Sequence, residues 1–108
     1  MSTEIVFRGM ERSPALEATA RSWIARLDRA YDRIVRCSVV IELPHRHQRS
    51  GHLFQARIEL VIPERVIVVS HASEDAHLAV ADAFHAARRQ LQDHAQIRRG
   101  DVKRHEAA

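Results

Sequence analysis

The chain has 108 residues, enough for one domain and too few for two. Hydrophobic residues make up 45% and charged residues 29%, a globular balance that excludes a wholly disordered chain, and no apolar run approaches the roughly 18 residues of a membrane helix. Seventeen basic residues face 14 acidic ones, for a formal charge of +3, and the single cysteine, Cys37, excludes an internal disulfide.

The opening segment, MSTEIVFRGMERS, lacks the apolar core of a signal peptide, and a lone cysteine suits a reducing compartment. A cytoplasmic location is therefore expected. Residues 4–8 read as a short strand. Ser13 and Pro14 read as a helix start, because serine caps free amides and proline needs no N–H in the first turn. Leu16, Ala20, Trp23, Ile24, Leu27 and Tyr31 then recur at helical spacing, which predicts a helix over Pro14–Tyr31.

Residues 34–43 alternate. Val35, Cys37, Val39, Ile41 and Leu43 share one face, with Arg36, Ser38, Val40 and Glu42 on the other. Pro44 ends this strand, and PHRHQRSG reads as a polar loop. Phe54, Ala56, Ile58, Leu60 and Ile62 line one face of the next strand. A tight turn at Pro63 and Glu64 leads into a third β-branched run at 65–70. Ser73 reads as the cap of a second helix over Glu74–His94, whose stripe is Ala76, Ala79, Val80, Ala83, Phe84, Ala87 and Leu91.

The order is β-α-β-β-β-α. Each strand has one apolar face and each helix one apolar stripe, so the expected fold is α+β, a four-stranded mixed sheet with both helices packed on one face. The first two strands should be parallel if they are neighbours. Residues 1–96 form the expected domain and 97–108 a basic, flexible C-terminal tail.

No phosphate-binding glycine loop, CxxC or HExxH pattern is present, and the acidic residues form no pair in an evident cleft. The expectation is a non-enzyme with no cofactor, no metal and no small-molecule substrate. His45, His47 and His52 have the spacing of a metal-binding trio, but their loop also carries Arg46 and Arg49, which repel a cation. That loop reads instead as polar surface or, through His45, Arg46, His47 and Arg49, as an RNA-contacting loop.

Sixteen of the 17 basic residues are arginine, with Lys103 the only lysine, and the isoelectric point is about 10.0. Arginine presents a planar fork that suits phosphate. His85, Arg88, Arg89 and Gln92 share the outer face of the second helix at i, i+3, i+4, i+7 spacing. Arg26, Arg29 and Arg33 form a similar edge on the first, and Arg98, Arg99, Lys103 and Arg104 continue the basic series. With both helices on one side of the sheet, these groups merge into one candidate surface for RNA phosphates. Trp23, Tyr31, Phe54 and Phe84 fall on core faces, which argues against base stacking on the sheet.

These residues resemble the ribosome hibernation promoting factors and ribosome-associated inhibitors, also called sigma-modulation proteins. The element order matches along nearly the whole chain. Locally, Asp75-Ala76-His77-Leu78-Ala79-Val80-Ala81-Asp82-Ala83-Phe84 followed by Arg89-Gln90-Leu91 is similar to the family's last helix, and Ser13-Pro14-Ala15-Leu16-Glu17 to its first helix start. Gln92-Asp93-His94-Ala95 departs from the family's lysine-rich helix end, and Pro44-His45-Arg46-His47 from its usual loop, a pattern that resembles a divergent branch; without the long form's extra C-terminal dimerisation domain, the chain is expected to be a short form. The resemblance implies binding to rRNA of the small ribosomal subunit, occlusion of the channel for messenger and transfer RNA, and inhibition of translation. Arg88 and Arg89 match basic positions of the family, with Arg26 and Arg29 on the corresponding part of the first helix. No membrane partner is expected, and the chain should be a monomer or a weak homodimer. A regulatory protein-interaction module on the same fold is the alternative reading.

Overall fold

A computed structural model describes residues 1–44 and 53–99, excluding the side chains of residues 98 and 99. Its elements are β1 (Ser2–Arg8), α1 (Pro14–Ala30), β2 (Arg36–Glu42), β3 (Phe54–Ile62), β4 (Arg65–Ser73) and α2 (Ala76–Arg99). The sheet order is β1-β2-β3-β4. β1 pairs parallel with β2, while β2 with β3 and β3 with β4 are antiparallel. This is the mixed α+β sheet expected from the residue pattern.

The register explains the core. Ile5, Val39, Ile58 and Val69 form one row across the four strands, and Thr3, Cys37, Leu60 and Ile67 the next. From these two rows, Cys37, Val39, Ile58, Leu60, Ile67 and Val69 are buried in one cluster with Leu16, Ala20, Ile24 and Leu27 of α1 and Ala79, Val80, Ala83, Phe84, Ala87 and Leu91 of α2. Because strand side chains alternate, the opposite face carries Glu4, Arg36, Ser38, Arg57 and Glu59. The helices therefore share one side of the sheet. Burial at Cys37 pushes its thiol up to about 11.

Gly9 turns the chain out of β1 with a φ of 70°, a left-handed conformation that costs a glycine little. Ser13 Oγ accepts from the Leu16 amide at 3.2 Å, and Pro14 occupies the first turn. α1 ends where Tyr31 goes extended, its amide donating to Leu27 O at 2.9 Å.

The second helix starts later than expected. Asp75, rather than Ser73, caps it: Asp75 Oδ1 accepts from His77 N at 2.9 Å and Leu78 N at 3.3 Å. Ser73 Oγ accepts instead from Asp75 N at 3.1 Å and shapes the turn before the cap. The helix also continues past His94 to Arg99, taking in the first three residues of the expected tail. Val35 is a second correction. It is 54% exposed, because β2 begins at Arg36 and Ile34 turns into the core in its place.

α1 and α2 run in the same direction. Thr19 Oγ1 lies 3.0 Å from His77 Nδ1 near their starts, and Ala30 and Tyr31 sit near Leu91 and Ala95 towards their ends. A groove runs between them.

Candidate nucleic-acid interface

Two arginines converge on the groove between the helices. Arg26 of α1 and Arg88 of α2 line a cleft of about 240 Å³ whose other walls are Trp23, Leu27, Ala30 and Phe84. The Arg26 guanidinium carbon sits 4.7 Å from the centroid of the Trp23 ring, a cation–π contact. One step along α2, His85, Arg88, Arg89 and Gln92 form a shallow concavity. Helical spacing thus puts Arg88 in both places.

Ion pairs hold four of the described arginines. Glu17 bridges Arg12 and Arg21, and the hydrogen bonds from both hold its carboxyl below the usual carboxylate range. Arg36 pairs with Glu4 at 2.9 Å across β1 and β2. Arg33 pairs with Glu64 at 2.9 Å, and His94 lies 3.4 Å from the other oxygen of that carboxylate. Among the described residues, no carboxylate lies within ion-pair distance of Arg26, Arg29, Arg88 or Arg89. All four are exposed.

Of the sequence-predicted residues, Arg26, Arg88 and Arg89 are brought together, and Arg29 is exposed in the last turn of α1. Arg33 is drawn away to a separate polar cluster with Glu64 and His94. Arg98 and Arg99 extend the helix axis at the C-terminus of α2. His45, Arg46, His47, Arg49, Lys103 and Arg104 lie outside the described residues. Among the described residues no three or more metal-ligating side chains cluster, and no helix is long and apolar enough to cross a membrane.

Trp23 was expected in the core and is only partly buried. It sits at the edge of the α1 stripe beside Phe84, ring centroids 6.0 Å apart. The signal for this was Arg26 three residues on, close enough on a helix to lie over the ring.

Residues 3–99 match the family described as Sigma 54 modulation protein / S30EA ribosomal protein. Among solved structures, a ribosomal subunit interface protein from Coxiella burnetii superposes with a TM-score of 0.76 at 18% identity, covering 88% of this chain and 98% of that one. The Protein Y N-terminal domain of Thermus thermophilus gives 0.72 at 22% identity, covering 86% and 98%. Among curated protein sequences none matches significantly.

Proposed function

The chain belongs to the family of sigma 54 modulation proteins and S30EA ribosomal proteins, and from this we propose that it is a ribosome-associated hibernation factor of the cytoplasm. It binds the small subunit through rRNA phosphates and inhibits translation by occupying the channel for messenger and transfer RNA. The observation that carries this reading is the set of four exposed helix arginines, Arg26, Arg29, Arg88 and Arg89, which have no ion pair among the described residues, whereas Arg12, Arg21, Arg33 and Arg36 are paired with carboxylates. Exposed arginine next to a groove attracts polyanion, and each phosphate contacted releases counterions. The work is steric, so no general acid, base or nucleophile is required. The one thiol is buried and holds its proton to about 11, which leaves it unsuited to nucleophilic attack. The names of the two structural neighbours, a subunit interface protein and Protein Y, agree with this reading.

In this reading Arg33 holds the turn between β3 and β4 through Glu64 and takes no phosphate. Arg98, Arg99, Lys103 and Arg104, and His45, Arg46, His47 and Arg49, are proposed as further RNA contacts. Sedimentation of purified subunits with the chain through a sucrose gradient tests the proposal. The chain should travel with small subunits at low salt and leave them as salt is raised. Free chain at the top of the gradient at every salt concentration would rule it out.

A further inference from the structure

Phosphate binding leaves one part of the helix groove unused, the Trp23 ring. Trp23 is the only tryptophan of the chain and is half-buried. Phe84 lies nearly parallel to it, at 11° between planes, and His85 meets it edge-on with centroids 5.0 Å apart. Leu27 and Ala30 complete an apolar wall, and Arg26 and Arg88 form the rim.

We propose that this cleft receives one unstacked base of single-stranded RNA, which packs on Trp23 while Arg26 and Arg88 take the phosphates flanking it. The proposal rests on the RNA-binding reading above and specifies which form of RNA the surface selects. Three observations support it. The cleft, at about 240 Å³, is smaller than the roughly 300–1,000 Å³ typical of a site for a small molecule, and it suits a single ring system. Among the described residues two cations and no carboxylate line it, so an occupant that brings its own negative charges is favoured. A base within a phosphodiester chain does so on both sides, whereas an aromatic side chain of a protein does not. Finally, the Arg26 guanidinium over the ring is exposed, and a cation–π contact of that kind exchanges easily. An arriving base takes the ring, and the guanidinium turns to a phosphate or stacks on the base.

A duplex keeps its bases paired and cannot fill the cleft, so single strands and duplexes are told apart here. The lone tryptophan makes this measurable by fluorescence. The full chain is titrated at low salt with a short oligoadenylate and with a blunt RNA duplex of equal length. Oligoadenylate should quench Trp23 emission and the duplex should not. Trp23→Leu should weaken oligoadenylate binding by roughly 5- to 100-fold and change duplex binding by less than about twofold. Trp23→Phe, which keeps a ring in the cleft, should retain most of the single-strand affinity with an unchanged thermal melt. Equal losses on both RNAs, no loss on either, or a Trp23→Phe chain as weak as Trp23→Leu would overturn the base site and leave the phosphate surface standing. If the native chain bound neither RNA, the RNA-binding reading would fail and take the base site with it.

Discussion

Asp75 and Ser73 divide between them a task that one residue was expected to perform. Either side chain can cap a helix, and the choice depends on where the edge strand β4 releases the backbone, which is a tertiary matter. Asp75 makes the bonds to the free amides. Asp75→Ala should therefore cost about 0.5–2 kcal/mol in a denaturant titration, with Ser73→Ala costing less. The arginines divide in the same way. Helical spacing identified Arg33 as a candidate together with Arg26, Arg29, Arg88 and Arg89, but which are neutralised depends on partners distant in sequence, as Arg33 and Glu64 illustrate. Replacing Arg88 and Arg89 together with alanine should weaken RNA binding and reduce the slope of log K against log salt by about 1.4–1.8. Arg33→Ala should leave that slope unchanged. Trp23 was misplaced because a stripe of period 3.6 separates core from surface and says little about residues on its margin.

The elements themselves were readable because their patterns are strong. β3 alternates without interruption from Ala56 to Ile62, and the stripe of α2 continues unbroken from Ala79 to Leu91. The ends were less readable. α2 runs on to Arg99 because nothing from Gln92 to Arg99 breaks a helix, and Gly100 follows. Small residues let this helix lie near the strands. Ala79, Ala83 and Ala87 follow one another at one-turn spacing, each fully buried, and α2 packs on β3 and β4. Ala83→Leu would force a branched side chain into that close-packed layer and should destabilise the fold by about 1–3 kcal/mol, seen as a lower urea midpoint. Phe84→Ala acts in the opposite sense, opening a cavity beside Trp23, and should cost about 3–5 kcal/mol.

Across the whole molecule the two faces differ in electrostatic character. The open face of the sheet sets Arg8, Arg36 and Arg57 against Glu4 and Glu59, so its charges largely cancel. On the helical face Arg26, Arg29, Arg88 and Arg89 have no ion pair among the described residues. Binding should therefore depend on the helical side. Arg57→Ala should leave co-sedimentation with small subunits unchanged, while Arg26→Ala should reduce it. The asymmetry was half readable: periodicity assigned residues to faces, but the Arg36–Glu4 pair joins strands that meet only in the fold. Cys37 lies between the two faces, fully buried, with its proton held to about 11 against an ordinary 9.0. Between those values the unfolded chain has lost a proton that the folded chain keeps, so stability should decline as pH rises from 9.0 towards 11. At neutral pH a thiol-labelling reagent reaches this sulfur only when the domain opens. The rate of its modification is thus a clock for global opening, and RNA bound to the helices should slow it by mass action.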